Sequence, residues 1–573
     1  MKVAQYIVEY LKKTGIDTIF GYIGGYNADI LDYFCADKDN RFVLNYHEQA
    51  SAFAANTYAE LAGGIGVAIA SGAPSFCNMV AGIANAYFDS HPCVFILGSA
   101  HSLAVRRDKS IRQNAFEEID SVSMVRDITK YAVKVTNPDD VRYELEKCFH
   151  IAQTGRKGPT LIDIPYDIIR AEIDVGNARR HVAREDRKYD TIDFAEVVAR
   201  LRASKRPLIL LGGGAGGAKS REALAALLGK VKIPAVASLC GLDILPHDNK
   251  CFAGFVGHYG NRYANLALKN CDFLLILGAR LDERQLGGFW TRLADDAFVV
   301  RVDIDKPELN RRLAENLSYH SSVELFLKGL AELDLHGLDF GKWIDCIARW
   351  RMRYPSLEAD ASRVGALSFL NRLSDFLPAD AIVCSDVGQN QMCVAQAMKL
   401  NGRRRLFNSA GYGSMGFSLP AAIGCAYAKR GKCVVSVNGD GGIQMNVQEL
   451  QTLKRDNLPV NVIVLNNHCL GMIRKTQEKL FNGKDFGSVE GYAAPDFAAI
   501  AMAYGIPYLR VDSIEKYDDA GLFISDSNPT FIEVCLPTIM ENVPEPGRAI
   551  ELQSPELSDH EFCQIAKECL LHA

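Results

Sequence analysis

The sequence predicts an α/β protein of three doubly wound parallel-sheet domains, and three observations predict it. The chain has 573 residues, several times the ~150 residues of a typical domain. Short runs rich in Val, Ile and Leu recur along it, each followed by a Gly or polar turn and then a helix-period segment, as in strands joined by crossover helices. A charged interval with no apolar period, 179–193, and a Trp-bearing helical connector around 343–351 divide these runs into three groups.

Taken in order, the N-terminal MKVAQYIVEYLKKTG carries apolar residues at helical spacing, interrupted by charge, and reads as a first helix rather than a signal peptide. The first group predicts buried strands at 41–46, 67–70, 94–98 and 160–165. The second predicts strands at 207–211, with the turn GGGAGG, and at 272–278 and 298–304. The third, from about Leu367, predicts strands at 381–385, 434–437 and 460–466. Beyond Val543 the chain becomes rich in Pro and charge. The expected division is an N-terminal domain at 1–175, a central domain at 190–340, a C-terminal domain at 355–545 and a tail at 546–573.

Composition excludes whole classes. With 48% hydrophobic and 23% charged residues the chain has ample core material and is not a disordered or fibrous protein. Lys and Arg number 64 against 69 Asp and Glu, a net charge of −5, so no basic field draws in nucleic acid. Apolar stretches such as 274–279 are far shorter than the ~20 residues of a membrane span. Sixteen scattered cysteines without C-x-x-C spacing read as free thiols in a reducing compartment, and the expected location is the cytoplasm.

The most informative segment joins the strand at 434–437 to Gly439-Asp440-Gly441-Gly442, a helix expected to begin near Met445, and a second strand delivering Asn466 and Asn467. Glycines let backbone approach a phosphate, and free N–H groups at a helix start favour an anion. Asp440 and Asn467 offer hard oxygens that, with phosphate oxygens and water, suit Mg²⁺. Alone, GDGG is a common turn and NN a common loop. Asn467, however, follows Asp440 by 27 residues, the length of one strand-helix-strand unit returning to the same sheet edge, where α/β proteins bind ligands.

On these residues the chain resembles the thiamine diphosphate-dependent enzymes, whose motif is GDG followed at about that interval by NN. The flanking segments, from about Val3 to about Glu545, resemble acetolactate (acetohydroxyacid) synthases. The resemblance implies that Asp440, Asn467 and a main-chain carbonyl at Cys469 bind Mg²⁺. It further implies that Gly439, Gly441, Gly442, Gly471 and Met472 surround the cofactor, that Gly388, Gln389 and Asn390 form the opposite side of the diphosphate site, and that Met415 props the cofactor into its bent shape.

A second element is Asn45-Tyr46-His47-Glu48-Gln49, opening a helix of small residues. A Glu in a first helical turn is ordinarily a partner for the helix dipole. In the resembled family a Glu in such an HEQ segment is catalytic, sharing a proton with the cofactor's aminopyrimidine ring, which makes Glu48 the expected catalytic residue. Because that family builds its site from the first domain of one subunit and the third of another, a homodimer or homotetramer is implied.

The middle domain resembles the family's FAD-binding stretches: Gly212-Gly213-Gly214, Leu239 to Gly241, Gly257-His258-Tyr259-Gly260, Gly278 to Arg284 with Arg280 and Arg284 toward the diphosphate, and Asp303-Ile304, joined by Arg156 of the first domain. The alternative is a nucleotide-free domain; the flavin expected here is non-redox. GARLDER stands where GARFDDR is usual.

Departures gather where substrates are expected. FQE reads Phe116-Glu117-Glu118, the lysine of IPKD is Tyr166, and the Trp of GMVRQWQ is Thr476 in GMIRKTQ; Trp290, Trp343 and Trp350 lie elsewhere. Removing an indole and a lysine predicts a wider, differently charged pocket. The expected function is a carboligase that decarboxylates pyruvate and passes the two-carbon unit to an acceptor carbonyl, giving 2-acetolactate if that acceptor is pyruvate. The alternatives are acetyl transfer to a larger aldehyde or keto-sugar, simple 2-keto acid decarboxylation, and a cofactor-binding protein without turnover.

Overall fold

A computed structural model describes residues 1–538 except 107, 109, 184–188, 287–293, 295 and 359–361, and beyond 538 only 564, 565, 567 and 568. Trp290, the middle of the charged interval and nearly all of the tail therefore lie outside the described residues. The remainder of the interval, 179–183 and 189–193, contains neither helix nor strand.

The apolar runs form three six-stranded sheets, all parallel. The first comprises β1 (Thr18–Gly21), β2 (Arg41–Leu44), β3 (Gly66–Ser71), β4 (Cys93–Ser99), β5 (Tyr131–Lys134) and β6 (Thr160–Pro165). The second comprises β7 (Pro207–Leu211), β8 (Ala235–Ala237), β9 (Phe252–Phe255), β10 (Phe273–Leu277), β11 (Phe298–Asp303) and β12 (Leu317–His320). The third comprises β13 (Ile382–Ser385), β14 (Arg405–Asn408), β15 (Val434–Gly439), β16 (Val460–Asn466), β17 (Tyr508–Val511) and β18 (Thr530–Cys535). Buried on both faces, central strands such as β4, β7 and β10 read as nearly unbroken apolar runs.

The first sheet runs β2-β1-β3-β4-β6-β5 and the third β14-β13-β15-β16-β18-β17, which is the same order twice. The middle sheet runs β9-β8-β7-β10-β11-β12; numbered within its own domain this is 3-2-1-4-5-6, the order of dinucleotide-binding sheets. Each sheet has a central winding reversal, between β1 and β3, between β7 and β10, and between β13 and β15, and ligands of such sheets bind in the crevice beyond the carboxyl ends there.

Two cores are shared between sheets. One joins the middle and third sheets. Another joins the first and third, where the helix Glu48–Ala62 lies against Ser418–Ala428 and the Thr57 hydroxyl donates to the Ala421 carbonyl at 2.8 Å. The connector helix Gly341–Arg353 packs Trp343 and Trp350 edge to face at 5.5 Å, with Ile565 buried in the same cluster.

Charges meet where the three units converge. Glu60 takes His91 Nδ1 at 3.3 Å and Arg405 at 2.9 Å, Arg405 reaches Asp243 at 2.7 Å, and Asp243 holds Arg221 at 2.6 Å. Burial opposes charge on His91, yet its hydrogen bond to Glu60 and the Glu60 and Asp89 charges raise it above its ordinary 6.5. Burial likewise opposes charge on Glu60, but His91 and Arg405 bring it down from 4.5 to about 2. A raised His stabilises fully below 6.5 and loses that contribution as pH rises through its folded value. A lowered Glu contributes above 4.5 and loses it as pH falls toward 2. We therefore expect the melting-temperature deficit of His91→Asn to be greatest between 4.5 and 6.5 and to shrink at alkaline pH; a deficit that grew with pH in thermal melts would refute the pairing.

Candidate active site

The third sheet presents its crevice first. After β13 the chain runs Asp386-Val387-Gly388, and Gln389 and Asn390 open the helix Gln389–Ala397. After β15 the helix starts at Asp440 itself and runs Asp440–Ile443, followed by a 3-10 turn at Val447–Glu449. The 3-10 turn runs on into the helix Leu450–Asp456, the one expected to begin near Met445, while the unexpected short helix puts Gly441 and Gly442 inside a helical turn. Asn467 follows β16, Cys469 is buried, and Gly471 opens Gly471–Leu480, which carries Met472 and, one turn on, Thr476.

These residues meet. Asn467 Nδ2 donates to Gln389 Oε1 at 3.2 Å, and Gly471 packs against both side chains. Asn390 lies beside Gly439, and the Met415 terminal methyl lies beside Gly441. Asp440 is 2% exposed; its Oδ1 accepts the Gly441 N–H at 2.9 Å and its Oδ2 is buried without a partner. Burial pushes its carboxyl up to about 6 against the pull of that N–H and of the nearby Tyr492 hydroxyl. Gln389 Nε2 is likewise buried without a partner. Among the described residues no group of three His, Cys, Asp or Glu is placed to hold a metal. The donors available are instead one carboxylate, one amide and the main chain, the set a Mg²⁺ ion uses when phosphates complete its shell. The orphaned Asp440 oxygen fits that ion.

Asp386 escaped the sequence reading. Its carboxylate, fully buried, accepts the N–H groups of Val387, Gly416 and Phe417 at 2.7, 3.1 and 3.2 Å, so it pins the turn that carries Met415. Burial raises its carboxyl to about 7 against these donors. Its Oδ2 occupies the space a Cβ on Gly442 would need, 2.3 Å away. An Asp at the end of a buried strand, directly before the Val-Gly-Gln-Asn turn, was the available signal.

At the first sheet, Glu48 is the first residue of its helix, capped by His47, whose Nδ1 accepts the Gln49 N–H at 3.2 Å. Asn78, on the helix Gly72–Asp89, donates to Glu48 Oε2 at 2.9 Å. Tyr166, directly after β6, stacks on Tyr26 with ring centroids 5.6 Å apart, and the Tyr26 hydroxyl donates to the Phe116 carbonyl at 3.3 Å. The Phe116 side chain is 76% exposed, and Glu117 is turned to φ 55° with its carboxylate against Gly72. Phe116, Glu117 and Tyr166 thus gather at one sheet edge. Thr476 stands exposed in the third domain, its hydroxyl donating to the Met472 carbonyl at 3.0 Å.

In the middle sheet the expected segments all follow strand carboxyl ends: Gly212, Gly213 and Gly214 after β7, Leu239 and Gly241 after β8, Gly257 to Gly260 after β9, Gly278 to Arg284 after β10, and Asp303 and Ile304 at the end of β11. Gly214 N–H donates to Gly278 O at 3.0 Å, and a Cβ on Gly212 would lie 2.2 Å from that same oxygen, so the two turns touch backbone to backbone at the winding reversal. Arg280 reaches Asp282 at 2.6 Å and the Phe88 carbonyl at 3.0 Å, while its Nε is buried without a partner. Arg284 reaches Gln391 at 3.4 Å; its carbonyl accepts the His258 N–H, and the Tyr259 carbonyl accepts from Gln396. Burial lowers His258 and raises Asp303. Arg156 is held by Asp305 at 3.0 Å and Glu308 at 3.2 Å. The strand order and the orphaned Arg280 nitrogen fit a dinucleotide; Arg156 meets one only by sharing its guanidinium.

Comparison with known proteins agrees with this geometry. Residues 1–124 match the thiamine pyrophosphate enzyme N-terminal TPP binding domain, 194–330 the thiamine pyrophosphate enzyme central domain, and 386–534 the thiamine pyrophosphate enzyme C-terminal TPP binding domain. The chain is 34% identical to the acetolactate synthase isozyme 2 large subunit of Escherichia coli strain K12, over 95% of this chain and 97% of that protein. It is 32% identical to the acetolactate synthase large subunit of Lactococcus lactis, over 93% and 92%, and 32% identical to a probable acetolactate synthase large subunit of Methanocaldococcus jannaschii, over 97% and 95%. Among the described residues no helix is long and apolar enough to cross a membrane. With three matched domains, in the order the sheets occur, and relatives aligned over more than nine-tenths of its length, the chain belongs to the acetolactate synthase family of thiamine pyrophosphate enzymes.

Proposed function

We propose that the protein is a carboligase that decarboxylates pyruvate and transfers the two-carbon unit to an acceptor carbonyl, forming 2-acetolactate when the acceptor is a second pyruvate. The observation that carries this reading is the crevice between β13 and β15, where a buried, unpartnered Asp440 oxygen stands in the segment that faces Gln389 and Asn467. Thiamine diphosphate, when bound, supplies the nucleophilic carbon and the electron sink. In our assignment Asp440, Asn467 and the Cys469 carbonyl hold Mg²⁺. Gly388, Gln389, Asn390, Gly439, Gly441, Gly442, Gly471 and Met472 hold the diphosphate end, and Met415 supports the bend. Glu48 exchanges a proton with the pyrimidine, its carboxylate oriented by Asn78. Phe116, Glu117, Tyr166 and Thr476 face the substrates.

We assign FAD to the crevice between β7 and β10, with Arg280 and Arg284 toward its phosphates. The three sheets support our domain division at 1–175, 190–340 and 355–545, with a tail at 546–573. Exposed Tyr22, Ile23 and Phe116 at the first sheet's ligand edge support assembly as a homodimer or homotetramer that covers them. The free described cysteines support a reducing, cytoplasmic setting. A larger aldehyde or ketone acceptor is a second reading, favoured by an exposed Thr476 where the family places an indole.

The test is incubation of the purified protein with pyruvate, thiamine diphosphate and Mg²⁺, alone and with a panel of acceptor carbonyls, alongside the absorption spectrum of ligand released on denaturation. Acetolactate and CO₂ with a flavin spectrum are expected. Product only with an added acceptor supports the second reading, acetaldehyde alone indicates a simple decarboxylase, and absence of CO₂ overturns the proposal.

A further inference from the structure

Four hundred residues separate Glu449 from the segment that precedes Glu48, yet the two are bound together more closely than any other polar contact between the first and third domains described above. Glu449 is 0% exposed. Its Oε1 accepts the main-chain N–H groups of Tyr46 at 2.7 Å and His47 at 3.2 Å; its Oε2 accepts Asn45 Nδ2 at 2.9 Å and the Thr452 hydroxyl at 2.9 Å. All four donors are neutral, so nothing cancels the carboxylate's charge, and burial raises its carboxyl despite them. One turn earlier Asn446 Nδ2 donates to Gln49 Oε1 at 3.1 Å and to the Gly416 carbonyl at 2.8 Å. The run from Asp440 to Glu449 thus grips both sides of Glu48 and also holds the turn of Met415.

We propose that Glu449 is the positioning residue for Glu48: its carboxylate fixes the two N–H groups just ahead of the helix and thereby the direction in which the Glu48 side chain leaves it. This rests on the catalytic role assigned to Glu48. The geometry dictates which replacements succeed. A glutamine keeps one oxygen for the two main-chain N–H groups, which cannot turn away, and its NH₂ can donate to Asn45 Oδ1, a buried atom with no partner at present, once that amide flips. An aspartate keeps the charge but is one methylene too short to reach Tyr46 and His47. An alanine removes the acceptor of the Tyr46 and His47 N–H groups and of Asn45 Nδ2, while the Thr452 hydroxyl keeps the Leu44 carbonyl.

The experiment uses the full-length protein with Glu449→Ala, Glu449→Asp and Glu449→Gln. Hydrogen exchange of the Tyr46 and His47 amides is measured without cofactor, and kcat and KM for pyruvate with thiamine diphosphate and Mg²⁺. Exchange at these two amides is expected to accelerate at least ~10-fold in the alanine and aspartate variants and to stay near wild type in the glutamine variant. Because a displacement of about 1 Å costs ~100-fold in rate, kcat should fall by about that factor in the alanine variant with KM little changed, and adding Glu48→Gln should cost little more. If Glu449→Ala fails to fold, the aspartate and glutamine pair decides. Wild-type exchange and rate in Glu449→Asp, with loss in Glu449→Gln, would show that charge rather than position matters and overturn the proposal. If wild-type protein releases no CO₂, or Glu48→Gln has no effect, the functional reading fails, while the exchange data still report on Glu449.

Discussion

Glu48→Gln is expected to lower carboligation by 10²- to 10⁴-fold, the range over which a positioned proton-transfer group contributes, or roughly 3–5 kcal/mol of barrier. The substitution is nearly isosteric, and the side-chain oxygen that remains can still accept the Asn78 hydrogen bond. His47 caps the helix independently. The melting temperature should therefore stay within a degree or two, and thiamine diphosphate should still be retained. The only property removed is the exchangeable proton. Rates of CO₂ release and acetolactate formation, measured beside a thermal melt, check this; a variant keeping more than half of wild-type turnover removes Glu48 from the chemistry.

Asp440→Asn should be comparably severe, through binding rather than proton transfer. Asp440 is the only carboxylate in the proposed donor set, and a hard divalent cation loses most of its hold when the single anionic protein ligand becomes neutral. Retention of thiamine diphosphate on a desalting column at micromolar Mg²⁺ is expected to disappear, with activity falling at least ~100-fold. Without metal the sign reverses. A buried carboxylate with an unpartnered oxygen is costly, so metal-free Asp440→Asn should melt no lower than wild type, and wild type alone should gain stability when Mg²⁺ and cofactor are added. A variant that kept Mg²⁺-dependent cofactor binding would move the ion elsewhere.

Some of this site was legible in the residues and some was not, for physical reasons. Thr160–Pro165, Pro207–Leu211 and Val460–Asn466 agree with the sequence reading to the residue, because a strand buried on both faces is a dense apolar run, here broken inside only by the buried Asp163 and Asn461. Asp440 and Asn467 stood out because one strand-helix-strand unit separates them. The short helix at Asp440–Ile443 is not announced by the sequence, because its glycines argue for a loop. Short edge strands such as β5 and β17, partly exposed and only four residues long, carry too little pattern to read. Glu449 is invisible for another reason. What marks it is burial and the donors it collects, from residues up to 404 positions away, and no local spacing encodes that.

The helix Glu48–Ala62 also bears on how the chain is made. Nine of its residues are buried, many against Ser418–Ala428, and the Thr57 hydroxyl makes its shortest hydrogen bond to an acceptor 364 residues downstream. At 5–20 residues per second a ribosome needs roughly 20–70 s to reach that acceptor. Throughout that interval the small-residue face of the helix that carries Glu48 lacks its partner, and the nascent first domain presents an apolar surface to its surroundings. That face is covered only when Ser418–Ala428 of the third domain has emerged.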